Sequence, residues 1–108
     1  MTTANSEGFT LINGKPTIVK DPNAVLDYTW DWSKWLDDFD PDGQIAVHQI
    51  IIGNSATAVV QKSESNGLEV TAIIAGGEVG EKISATCRIT TDSGLVDDWT
   101  LYMKVKEL

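Results

Sequence analysis

The chain has 108 residues, enough for one domain with a small core. Sixteen acidic against eight basic residues give a formal net charge of −8, which argues against binding nucleic-acid phosphates or an anionic membrane surface. No apolar run reaches the roughly 18 residues of a membrane span, the opening MTTANSEGFT lacks the basic and apolar regions of a signal peptide, and a single cysteine, Cys87, allows no intrachain disulfide, in keeping with a reducing compartment.

Residues 1–14 read as a flexible arm or edge-hairpin strand, and residues 15–108 as the folded domain. Asn13-Gly14 lies between two apolar runs and predicts a tight hairpin, because both central positions of a type I′ turn need positive φ. Pro16 has no ladder donor and places that hairpin at a sheet edge. Asp21-Pro22-Asn23 then breaks the chain. From Val25 to Trp32 the residues alternate: Leu26, Tyr28, Trp30 and Trp32 share one face, and Val25, Asp27, Thr29 and Asp31 the other. Large aromatics on one face make this the strand around which a small core forms. Ser33 is expected to cap one helical turn that tucks Trp35 and Leu36 under the strand end. Asp37–Gly43 reads as an acidic loop.

The next strand, Gln44–Ile52, loses its alternation near Gln49-Ile50, which predicts a bulge there. Gly53-Asn54-Ser55 is a turn. Ala56–Lys62 and Leu68–Ala75 read as strands around a Ser63–Gly67 loop, with Leu68, Val70, Ala72 and Ile74 on one face. Gly76–Gly80 is a glycine-rich turn. In Lys82–Thr90, Ile83, Ala85, Cys87 and Ile89 point inward. Asp92-Ser93-Gly94 is a hairpin turn, and Leu95–Val105 directs Trp99, Leu101, Met103 and Val105 to the core. About seven to eight short strands at this spacing predict an all-β sandwich. Its expected core includes Tyr28, Trp30, Trp32, Trp35, Cys87, Ile89, Trp99 and Leu101.

The chemistry on offer is sparse. Asp38, Asp40 and Asp42 precede Gly43 in a D-x-D-x-D-G pattern, the first half of a calcium loop. The twelfth position is Gln49 rather than a bidentate glutamate, and the flanks read as strand, so a solvated acidic turn is preferred and no metal is expected. His48 has no serine or cysteine beside it in sequence and reads as a packed or surface histidine. Cys87 reads as a buried, inert thiol. Asp37-Asp38 and Asp97-Asp98 are adjacent, so strand geometry would point each pair to opposite faces and prevent shared acid–base work. GGEVG lacks the Lys-Ser/Thr of a phosphate loop. The aromatics of Tyr28–Trp35 could stack on a sugar, but one-sided alternation already accounts for Tyr28, Trp30 and Trp32 as core. No cofactor and no catalytic constellation is expected.

Lys20-Asp21-Pro22, Leu26-Asp27-Tyr28-Thr29, Asp31-Trp32-Ser33 and Trp35-Leu36 are followed by Gly76-Gly77, Gly80, Cys87-Arg88-Ile89-Thr90-Thr91, Ser93-Gly94 and Val96-Asp97-Asp98. In this order they resemble a tailed-bacteriophage family of small virion proteins, the fibre–tail adaptors, over about Val19–Leu108. The chain departs from the family pattern in its acidic DDFDPDG loop and in Ile83, where an aromatic is usual. The resemblance implies an immunoglobulin-like β-sandwich without enzymatic activity. It implies a protein made in the host cytoplasm and present in several symmetric copies in the virion tail, contacting tail or baseplate and fibre proteins. A carbohydrate-binding module, or another virion role at the head–tail connector or on the head, stands as the alternative.

Overall fold

The computed structural model describes residues 2–3, 10–12 and 15–107. In chain order its elements are β1 (Thr2–Thr3), β2 (Thr10–Ile12), β3 (Lys15–Lys20), β4 (Leu26–Asp31), helix α1 (Ser33–Phe39), β5 (Ile45–Gly53), β6 (Val59–Ser65), β7 (Glu69–Ala75), β8 (Lys82–Thr91) and β9 (Val96–Val105). The nine strands among the described residues exceed the expected seven to eight because of β1; β2 is the first arm of the expected hairpin. They form two sheets, ordered β1-β4-β7-β6 and β2-β3-β9-β8-β5. Among the described residues the fold is all-β apart from one helix.

β2 and β3 pair antiparallel with Ile12 opposite Lys15, and β2 is an outer strand. The Asn13-Gly14 turn itself lies outside the described residues. From Thr17 to Lys20, β3 runs parallel to β9. β1 pairs parallel to β4, with Thr2 opposite Tyr28.

Alternation decides which side chains meet between the sheets. Tyr28, Trp30, Val70, Ala72 and Ile74 come from one sheet. Ile83, Ala85, Cys87, Ile89, Leu101, Met103 and Val105 come from the other, and all twelve are fully buried in one cluster. Trp32 and Leu36 close the end of that cluster at 2% exposure each. Two residues expected on these faces fall outside it. Leu26 starts β4 beyond the end of the core, and Leu68 belongs to the turn before β7, so both stay exposed.

Local structure departs from expectation at four places. The single turn at Ser33 is a seven-residue helix that takes in Asp37, Asp38 and Phe39. Trp32 occupies the cap position. Ser33 does not cap the helix; its N–H and hydroxyl both donate to Asp31 Oδ1, at 3.0 and 2.7 Å. The bulge in β5 falls between Ile45 and Val47, not at Gln49-Ile50. The isoleucine run instead stays in register, Ile50 opposite Cys87 through Ile52 opposite Ala85, since its alternate faces are both part-covered. Finally, Ser63–Ser65 extend β6, and the turn shrinks to Asn66–Leu68. Asn66 Oδ1 accepts from the N–H of Leu68 and Glu69, at 2.9 and 2.7 Å, an Asx-type closure.

The far end is fixed by Gly76. Its φ is +85°, and a Cβ there would lie 2.3 Å from the Thr57 carbonyl oxygen. Its own carbonyl accepts from Lys20 Nζ at 2.6 Å, and Lys20 Nζ also donates to the Asp21 carbonyl at 3.0 Å. The Lys20 side chain is fully covered. Desolvation lowers its pKa, with Asp21 acting in the opposite direction.

Candidate functional site

Three connections converge at one end of the sheets: α1 with the Asp40–Gln44 segment, the Asn66–Leu68 turn and the Asp92–Leu95 turn. Backbone bonds tie them together. Trp32 N–H donates to Leu68 O at 3.0 Å, Ile45 N–H to Gly67 O at 2.9 Å, and Asp92 N–H to Gln44 O at 3.0 Å. Side chains add to this: Gln44 N–H donates to Asp92 Oδ1 at 3.2 Å, and the Ser93 hydroxyl donates to Asp40 Oδ2. Such cross-bracing holds the surface of this tip in one arrangement.

The tip carries an aromatic group organised on Trp32. Trp35 meets it edge-on at 5.6 Å between centroids and 87°, and Trp99 does the same at 5.4 Å and 90°. Phe39 extends the row, 5.2 Å from Trp35 with planes tilted by 37°. The helix places Trp35 and Phe39 four residues apart on one face. Trp32 is buried, Trp35 and Trp99 are half-buried at the rim of the core, and Phe39 is 64% exposed. These rings floor a half-open depression of about 520 Å³. Asp31, Asp38, Asp97 and Asp98 stand on its rim, with Lys34 as the lining cation.

Among the described residues, the buried Trp30 Nε1 meets no acceptor at hydrogen-bond geometry, whereas the buried Trp32 indole is turned toward the Cys87 thiol. Burial pushes the Cys87 thiol up to about 12; the Trp32 indole acts the other way, and Asp98 adds to the rise. Tyr28 is likewise pushed up to about 12, first by burial and then by Asp27. On the outer face of the hairpin Arg88 forms a two-pronged pair with Asp98, Nε to Oδ1 at 2.8 Å and the terminal nitrogen to Oδ2 at 3.0 Å. That bond raises the Arg88 pKa and lowers that of Asp98, on a surface where water screens the attraction.

The structure separates the three candidate calcium ligands. Asp38 lies on α1, Asp40 ends it and is engaged by Ser93, and Asp42 lies in the following turn. Among the described residues no three His, Cys, Asp or Glu side chains are grouped to hold a metal ion. His48 Nε2 meets Ser63 Oγ at 3.1 Å between β5 and β6, away from the aromatic depression. Asp97 and Asp98 sit at one rim without forming an acid–base pair, since Asp98 is held by Arg88. The rings are mutually perpendicular or tilted, which does not provide the flat platform that sugar stacking needs. Phe39 was missed as a notable residue, and so was the burial of Lys20. The i, i+4 spacing of Trp35 and Phe39 would have identified the first; nothing in the sequence marks Lys20 as buried.

A family model described as "Podophage GP4 fiber-tail adaptor protein gp77" matches residues 20–104. That span runs from the last residue of β3 to the penultimate residue of β9, and so contains β4 to β8, all but the last residue of β9, and the whole tip. No curated protein matches the chain.

Proposed function

We propose a structural joint between tail and fibre, on the premise that the chain belongs to the podophage GP4 fiber-tail adaptor family. One observation carries this reading: the family match runs through β4 to β9, which supply strands to both sheets, and through the aromatic tip as a unit. The protein works by contact, without catalysis, in the tail region of the particle. Its partners are other tail and fibre proteins, and repeated copies follow the rotational symmetry usual for identical subunits.

An immunoglobulin-like arrangement is part of the proposal. If β1 and β4 to β9 are lettered A to G in chain order, one sheet reads A-B-E-D and the other ends G-F-C. This is the strand order of a constant-type immunoglobulin domain. The parallel β1–β4 pair is a local departure, confined to two residues. Residues 15–108 then hold six of these seven strands, with β1 supplying strand A and β2 a further edge strand.

Omission is the test. Particles assembled without this protein should carry tails that lack fibres, and purified protein added back should restore them. Normal fibre attachment in its absence would overturn the reading, and a defect in head filling or head–tail joining would move the protein to a different place in the particle.

A further inference from the structure

The tip differs from the rest of the molecule in charge as well as in exposed ring surface. Eight of the ten aspartates lie on or beside it, at positions 31, 37, 38, 40, 42, 92, 97 and 98, against Lys34 and Arg88 among the basic residues whose side chains are described. Arg88 is committed to Asp98. A braced aromatic depression inside a strongly negative field attracts a cationic, partly apolar ligand, since cations sit well over indole and phenyl faces and the field raises encounter rates. A second copy of this chain offers no such ligand at its opposite end. There Lys82, Lys104 and Lys106 are interleaved with Glu78, Glu81 and Glu107, which leaves no basic face.

We propose that the α1 tip docks a basic segment of a neighbouring tail or fibre protein. An apolar side chain of that segment enters between Trp35, Phe39 and Trp99, and an arginine or lysine beside it meets Asp38 and Asp97. This rests on the adaptor reading and names the chemistry of one partner surface. Because the loops are already cross-braced, binding orders little of the adaptor itself, and affinity resides in the exposed rings and the rim carboxylates.

The experiment has two arms. In the first, the tryptophan fluorescence of the purified full chain is titrated with a synthetic peptide alternating arginine and leucine. Controls are a glutamate–leucine peptide and maltohexaose. The basic peptide should bind, and the controls should not. Phe39→Ser, and separately the double change Asp38→Asn with Asp97→Asn, should each weaken binding by about tenfold or more while leaving the melting temperature within a few degrees. Binding untouched by Phe39→Ser would reduce the effect to bulk charge and overturn the proposal, as would no binding or a preference for the oligosaccharide. In the second arm the same variants are assembled into particles. If omission of the wild-type protein removes fibres but the variants still attach them, the docking proposal fails alone. If omission has no effect, the adaptor reading fails with it.

Discussion

Trp32→Ala is expected to unfold the domain or bring it close to unfolding. Trp32 is 2% exposed, and its ring supports both Trp35 and Trp99 edge-on. Removing a buried tryptophan typically costs about 3–5 kcal/mol, partly as lost transfer energy and partly as the cavity left behind. A domain of this size has only about 5–15 kcal/mol in hand. A surviving fold should melt some 12–40 °C lower by circular dichroism, at about 4–8 °C per kcal/mol. The helix should also loosen, because Trp35 and Leu36 pack where Trp32 closes the core. An unchanged melting temperature would mean that Trp32 is not part of the core. Phe39→Ser, four residues beyond Trp35 and exposed, provides the contrast and should leave stability nearly unchanged.

The second large effect is alkaline unfolding. Cys87 and Tyr28 keep their protons in the folded state up to about pH 12, whereas in the unfolded chain they release them near 9.0 and 10.0. Above those lower values the unfolded state binds fewer protons than the folded one, so stability falls as pH rises. The slope is about 1.4 kcal/mol per pH unit for each group within its window. Lys20 acts oppositely just below pH 10.5, where its lowered folded pKa makes the unfolded state the better proton binder. The steepest loss should therefore lie between about pH 10.5 and 12, read as the urea midpoint against pH. In Cys87→Ala the decline should be shallower from pH 9 upward. A midpoint that stays level to pH 12 in the wild type would show that neither group is held protonated by burial.

Much of this architecture could be read from residue order, for a physical reason. Where one face of a strand is buried, period-two alternation must be strict. Lys82–Thr91 and Val96–Val105 obey it, and so Ile83 to Ile89 and Leu101 to Val105 were assigned to the core directly. The Asp92-Ser93-Gly94 turn followed from its composition. Alternation was uninformative where both faces are part-covered, as in the Ile50–Ile52 run of β5, and the bulge was accordingly misplaced. The helix was underestimated because Asp37 and Asp38 have modest helix propensity, whereas the segment is held by burial of Leu36 and by the Asp31–Ser33 bonds rather than by propensity. The tip could not be assembled from sequence at all. It joins residues near positions 32, 67 and 93, and only sheet topology brings those turns to one end. Likewise the half-exposed position of Trp35 and Trp99 depends on where the core stops, which no local pattern encodes.

If this all-β body is the joint between fibre and tail, electron cryomicroscopy of intact particles will find it there. The expected density shows symmetric copies of the two-sheet domain at the fibre–tail junction, each touching a tail protein and a fibre protein, with the Trp35–Phe39 surface covered by a neighbour. Density for the domain on the head, or at a tail position that touches no fibre, would contradict it.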